Sequence, residues 1–443
     1  MQEGTSEGLI RDVRRWDLVA MVVNAIVGAS IFALPSTIFR LTGTYSLLAF
    51  LVCAVSTGFL ALCFAEVSSR FTETGGPYLY ARHCFGPVIG FEVGWLLFLF
   101  RMMGFATVCN LLVSYLAFFV PPLEVGVWRA VSIGVICAAF TLINVVGVRV
   151  SALATDLFTI SKLIPLVLFI LTGLFFINPR NYSAPSRPDF QSFSTAMILL
   201  VFAFGGYEGT TITAGEIQQP RHNLPFAILM GVALTAVLFL LIQFVCIGLL
   251  PNLAHSERPI ADASRQILGL TGASVIAFGA IVSMVGNLNG TLLGVPRVPF
   301  AMAERGQLPS LLAATHKRFR TPHVAILFSS AVMFVLTLSH SFMSALTFTA
   351  LIRLIMYAIT ASTLLVLRRN SKDQPAGFAP AGGVFVAIVS LILCAWLISS
   401  CGRRELFSVA IFLAAGLVLH FAYRWWCEPT ETLSMRPRSS ERI

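Results

Sequence analysis

The sequence predicts an all-α polytopic membrane protein of about twelve transmembrane helices, with helices 1 and 6 broken partway. Three observations predict it. Of 443 residues, 57% are hydrophobic and only 11% are charged, whereas a soluble domain is roughly half apolar and a quarter charged. Apolar runs of about 20 residues, long enough to cross a bilayer, recur along the chain. Two of these runs are interrupted by glycine and small polar residues: Val27-Gly28-Ala29-Ser30-Ile31-Phe32-Ala33-Leu34-Pro35 and Phe202-Ala203-Phe204-Gly205-Gly206-Tyr207-Glu208-Gly209.

The expected spans cover residues 16–39, 44–68, 87–119, 126–147, 154–177, 193–214, 225–250, 272–302, 322–340, 344–367, 379–400 and 404–426. Residues 69–85 are amphipathic and read as a short surface helix, and residues 253–270 read as another on the opposite side. Of the thirty Lys and Arg, eighteen fall in loops or at span ends on one side, eight likewise on the other, and four deeper within spans: Arg101, Lys162, Arg297 and Arg353. An excess of positive charge marks the cytoplasmic side. Both termini are therefore expected to be cytoplasmic, in an integral protein of the plasma membrane.

The net charge of +10 does not point to nucleic acid, because the basic residues lie between apolar spans. The nine cysteines include no CxxC pair, so neither a metal site nor a disulfide framework is expected. No cofactor is expected either. The three lysines follow Ser161, His316 and Ser371, so no phosphate-binding loop ending in Gly-Lys-Ser/Thr exists in the chain. The seven histidines lie at or near expected loops without metal-ligand spacing. Enzyme activity is therefore not expected.

Unwound backbone inside a membrane must find hydrogen-bond partners or line a cavity. Two broken spans, one in each half of a chain, point to a binding site at mid-depth.

The residues around the breaks carry a resemblance. Gly28-Ala29-Ser30-Ile31-Phe32 lines up with a Gly-Ser-Gly-Ile-Phe pattern. Phe64-Ala65-Glu66, Thr74-Gly75-Gly76-Pro77-Tyr78-Leu79-Tyr80, Phe85-Gly86 and Gly94-Trp95 continue it. So do Ala214-Gly215-Glu216, Gln219-Pro220-Arg221, Leu224-Pro225, Arg297, Ala301-Met302-Ala303, Gly306, Leu308-Pro309 and Thr321-Pro322. In this order and spacing, the chain resembles amino-acid permeases of the amino acid–polyamine–organocation (APC) superfamily over most of residues 13–368. The resemblance implies a LeuT-type fold with 5+5 inverted repeats. Residues 16–177 would form the first repeat, 193–367 the second, and 379–426 the peripheral helices 11 and 12. Residues 1–15 and 427–443 would be cytoplasmic tails.

It also implies a function: secondary transport of an amino acid by alternating access, independent of sodium, as exchanger (antiporter) or proton symporter. The partners would be the amino acid, the lipid bilayer and, for a symporter, protons. With no acidic ring beyond Glu208, a neutral amino acid is favoured over a cationic amino acid or a polyamine. A non-transporting amino-acid sensor would keep the same site.

A zwitterion needs donors for its carboxylate and acceptors for its ammonium. The start of a half-helix offers free N–H groups and a positive dipole end. The region from Gly28 through Ala29, Ser30 and Ile31 is the expected carboxylate site, and the carbonyls of Ile26, Phe202 and Phe204, beside Gly205, the expected ammonium site. Ser30 departs from the family, where glycine is usual, and adds a hydroxyl. Phe202, Phe204 and Tyr207 are candidate aromatic lids, Phe202 lying where relatives place a gating aromatic. Asn287 and Asn289 are candidates to face the cavity.

Lys162 lies about nine residues into span 5, roughly 13 Å deep at about 1.5 Å per residue. A charge there costs about 3 kcal/mol or more. In sodium-independent relatives a lysine in this span stands where sodium-coupled ones hold the ion, and the resemblance gives Lys162 that coupling role. Glu208 has two readings, a proton site or a hydrogen-bond acceptor for the unwound backbone. Arg101 and Arg353 have no assigned partners.

Overall fold

The computed structural model describes residues 13–73, 75–146, 152–183, 187–304, 309–316, 318–319, 321–370 and 375–427. Most of both expected tails, and the sequence positions Thr74, Arg149, Gly306 and Leu308, lie outside the described residues.

The described chain is helical. Its α-helices are α1 (Arg15–Ile26), α2 (Leu34–Thr42), α3 (Ser46–Ser68), α4 (Pro77–Phe85), α5 (Pro87–Leu116) and α6 (Gly126–Val146). They continue with α7 (Ala152–Gly173), α8 (Phe190–Phe204), α9 (Pro220–Leu249), α10 (Pro259–Gly294) and α11 (Arg297–Glu304). The last are α12 (His323–Ser339), α13 (Phe342–Arg369), α14 (Gly383–Ser399) and α15 (Arg403–Cys427). Each of the twelve intervals expected to span contains helix. Among the described residues, seven helical stretches are long and apolar enough to cross a membrane, and four shorter helical stretches are apolar. This is the all-α polytopic membrane architecture that composition requires.

Helix α5 is the central element. Its most apolar stretch is 78% buried, against 11% for the corresponding stretch of α15. Helices α8, α10, α12 and α13 surround α5 or one another, and α9 packs against α1 and α3.

The expected surface helix over 69–85 is shorter, starting only at Pro77. Gly75 and Gly76 have φ of +147° and +54°, which a side chain would strain, and a Cβ on Gly76 would meet the Thr211 hydroxyl at 2.8 Å. Nor is α4 wholly superficial, since Tyr80 is buried against Phe71. The helix expected over 253–270 is a 3₁₀ turn at Leu253–His255 followed by the first turns of α10. Gly269, at φ +62° and ψ −152°, kinks α10 where that segment joins the span.

Both expected breaks are present. Helix α1 stops at Ile26, where the Gly28 N–H turns back to the Ile26 carbonyl at 2.7 Å. A 3₁₀ turn over Ser30–Phe32 follows, and α2 restarts with Pro35 in its first turn, the one helical place where a missing N–H costs nothing. Helix α8 stops at Phe204, Gly205 is extended, and Gly206 takes φ +128°. The chain continues as a 3₁₀ helix over Tyr207–Glu216 rather than as an α-helix. The two breaks touch: a Cβ on Gly206 would lie 2.5 Å from the Ala25 carbonyl oxygen. Only a glycine lets the second broken segment approach the end of α1 so closely.

Candidate substrate site between the two broken helices

A helix that ends inside a membrane leaves its last carbonyls without intrahelical partners. At the end of α1, the Lys162 ammonium donates to the carbonyls of Asn24 at 2.7 Å and Val27 at 2.6 Å. At the end of α8, the Arg353 guanidinium from α13 donates to the carbonyls of Phe202 at 2.7 Å and Val201 at 3.4 Å. A cation thus serves the negative dipole end of each interrupted helix. Both side chains are buried.

The opposite ends differ. The N–H groups of Ala29, Ser30 and Ile31 have no hydrogen-bond partner among the described residues. The Ser30 hydroxyl has none either. At the second break, Glu208 turns back and accepts from the Gly206 N–H at 2.8 Å. The same oxygen accepts from the Tyr357 hydroxyl at 3.0 Å, and the other lies 3.1 Å from Arg353 Nε as an ion pair.

A cavity of about 240 Å³ lies at this meeting point. Its walls come from the first break (Ala25, Ile26, Gly28, Ala29, Ser30), the second (Phe202, Gly205, Gly206, Glu208, Gly209) and α13 (Arg353). Helix α5 contributes Leu97, Phe100, Arg101, Gly104 and Val108, and α10 contributes Asn287 and Thr291.

Most of the expected site residues are brought together here: Ile26, Gly28, Ala29, Ser30, Phe202, Gly205 and Glu208 all line the cavity. Lys162 stands behind the first break and holds it. The Ile31 side chain is fully buried and lies outside the lining, so only its peptide N–H belongs to the carboxylate-binding idea. Phe204 is also outside the lining, packed edge-on against Phe50 and Phe239. Tyr207 is fully buried, stacked on Tyr357 and set edge-on to Phe64. Neither ring is a lid. Phe202 does face the cavity, and its ring lies beside the Arg353 guanidinium.

At the expected ammonium site two of the carbonyls already accept a hydrogen bond. The Phe202 carbonyl is occupied by Arg353, and the Ile26 carbonyl already accepts from Gly28. Each of these carbonyls keeps a second lone pair. Asn287 lines the cavity, whereas Asn289 is buried with its side-chain oxygen unpartnered. The sequence reading left Arg353 without a partner and did not single out Phe100 or Tyr357. The signal for Arg353 was present, since an arginine inside a span is expensive and implies a partner. Nothing in the sequence names Glu208 as that partner.

This geometry defines a membrane protein with a partly open pocket, lined by apolar and charged side chains, between two discontinuous helices. The chain belongs to the amino acid permease family, whose family model matches residues 14–422. It is similar to the serine/threonine exchanger SteT of Bacillus subtilis (strain 168), 26% identical over 419 residues, covering 93% of this chain and 95% of that protein. It is similar to the branched-chain amino acid permease BcaP of the same organism, 25% identical over 441 residues, covering 94% of each. It also resembles that organism's methylthioribose transporter, 24% identical over 443 residues and 95% of each chain. These names span hydroxyl-bearing, branched apolar and sugar-like substrates at nearly equal identity, so the substrate has to be argued from the site.

Proposed function

We propose that this chain is a sodium-independent secondary transporter that moves an amino acid across the plasma membrane by alternating access. The observation that carries this reading is the pairing of unused donors with a pocket between the two breaks. The peptide N–H groups of Ala29 and Ser30 and the Ser30 hydroxyl have no partner among the described residues at the wall of a cavity lined by both breaks, and the N–H of Ile31, next in the chain, has none either. An α-carboxylate matches such a row of donors. The carbonyls of Ile26 and Phe202, both in residues that line the cavity and each with a second lone pair, offer the ammonium its acceptors.

Sodium independence rests on Lys162. Its ammonium occupies the two carbonyls at the end of α1 to which a small cation would otherwise bind. A fixed positive charge there opposes entry of a second one. Both termini are taken to face the cytoplasm, as the loop charges require, and the chain is taken to transport without chemistry. The three contacts of the Glu208 carboxylate, with Gly206, Tyr357 and Arg353, are structural, which favours its role as an acceptor over that of a proton carrier.

Uptake of labelled amino acids into proteoliposomes tests the reading. Substitution of N-methyl-D-glucamine for sodium should leave the rate unchanged, and a large loss would refute sodium independence. Saturable binding without accumulation would mark a sensor instead. Acceleration by amino acid loaded inside the vesicles marks an exchanger, and acceleration by an inward proton gradient marks a symporter.

A further inference from the structure

Arg101 is the one charged side chain at the cavity for which the fold supplies no counter-ion. It projects from the middle of α5, the most buried helix, and lines the pocket. Among the described residues it makes no hydrogen bond and no ion pair. Its Nη1 reaches toward α10, where a Cβ on Gly294 would lie 3.9 Å away. Glu208 lines the same cavity, but both of its oxygens are engaged by Arg353, Tyr357 and the Gly206 N–H. After that pairing, the walls carry one guanidinium in excess.

A neutral amino acid brings a carboxylate and an ammonium, which cancel. Its carboxylate is already provided for by the donors of Ala29 to Ile31. Such a substrate would leave Arg101 uncompensated and would add an ammonium to a pocket with surplus positive charge. A substrate with a second carboxylate removes both difficulties, because the planar guanidinium fork matches a carboxylate with two parallel hydrogen bonds. Resting on the amino-acid transport reading above, we propose that the substrate is an acidic amino acid of the aspartate or glutamate class, with its side-chain carboxylate held by Arg101. Asn287 and Thr291, on the face of α10 toward which Arg101 points, supply further polar contacts for that end. The lack of an acidic ring, which counts against a cationic substrate, is fully consistent with this assignment.

The test uses the full-length protein in proteoliposomes and needs no variant for its first arm. L-Aspartate and L-glutamate are compared with L-asparagine and L-glutamine, which match them in shape and lack the charge. The acids should be preferred at least about tenfold, equivalent to one well-formed charge-assisted contact. In the second arm, R101Q should collapse the acid-to-amide ratio toward one, and R101K, which keeps the charge without the fork, should retain part of it. Amides carried as well as the acids, or an R101Q variant that lowers acids and amides in equal proportion, would overturn the proposal while leaving amino-acid transport intact. Failure of the wild-type protein to take up or bind any amino acid would overturn the transport reading together with it.

Discussion

The Lys162 ammonium sits 2.6 Å from the Val27 carbonyl oxygen, a contact between residues 135 positions apart. Arg353 repeats the device at the second break, 2.7 Å from the Phe202 carbonyl. In each case a cation on a continuous helix satisfies the free end of a discontinuous one. Both charges are engaged by backbone carbonyls at the ends of the broken helices. The N–H groups of Ala29, Ser30 and Ile31 have no such partner among the described residues.

Replacing Lys162 by methionine keeps the stem and removes the ammonium. The Asn24 and Val27 carbonyls would then lose their donor in a nonpolar setting, at about 1–3 kcal/mol for each unsatisfied group. Uptake should fall by about tenfold or more, since each 1.4 kcal/mol is a factor of ten. Sodium should not restore it, because removing the lysine leaves no carboxylate to attract the ion. Initial rates with and without sodium, on K162M in proteoliposomes, check both parts.

The glycines of the two breaks are not equivalent. Gly206 needs its φ of +128° and would drive a Cβ into the Ala25 carbonyl at 2.5 Å. Gly28 has nothing closer than 3.9 Å to a Cβ built on it. G206A should lower the melting temperature in detergent severely or prevent recovery of folded protein, by strain of about 1–3 kcal/mol plus the clash. G28A should stay within about 1 kcal/mol of the parent. Equal losses for the two would contradict the packing described here.

Glu66 is fully buried near the end of α3 and accepts from Arg70 at 2.9 Å and from Arg368 at 2.8 and 2.6 Å. Arg368 also donates to the Pro380 carbonyl at 2.8 Å. One carboxylate thereby ties the end of α3 to the end of α13. E66A removes the carboxylate that two guanidiniums share and should cost about 3–5 kcal/mol. E66Q keeps an acceptor and should cost less. Thermal melts of the purified variants rank them.

The sequence made the periodic and expensive features legible. Apolar runs gave the helices, the Gly28 and Gly205-Gly206 interruptions gave both breaks, and the cost of a buried lysine drew attention to Lys162. What it did not give were relations between distant helices. The Arg353–Glu208 pair, the use of the Phe202 carbonyl and the burial of Phe204 depend on which faces of α8 and α13 meet. A uniformly apolar helix has no polar face to announce its orientation. Tyr207 looked like a lid because aromatic residues near a break can fill either role, and only the packing of Tyr357 and Phe64 against it decides between them.

The Arg353–Glu208 pair yields the sharpest energetic prediction. Both side chains are buried, and each has further partners: two carbonyls for Arg353, a peptide N–H and a tyrosine hydroxyl for Glu208. R353Q leaves a carboxylate without its cation and a helix end without its donor, and should destabilise the protein by about 3–5 kcal/mol. E208Q keeps oxygen and shape but loses the charge, and should cost about 1–3 kcal/mol. The double variant should be more stable than the sum of the two, by a coupling of about 0.5–3 kcal/mol. Melting temperatures of the four proteins in one detergent close the cycle. The same E208Q protein, assayed for uptake across pH, should keep the shape of the parental profile, because the carboxylate is committed to Gly206, Tyr357 and Arg353. A profile flattened by E208Q would instead make Glu208 the proton carrier and leave the ion pair as one state of its cycle.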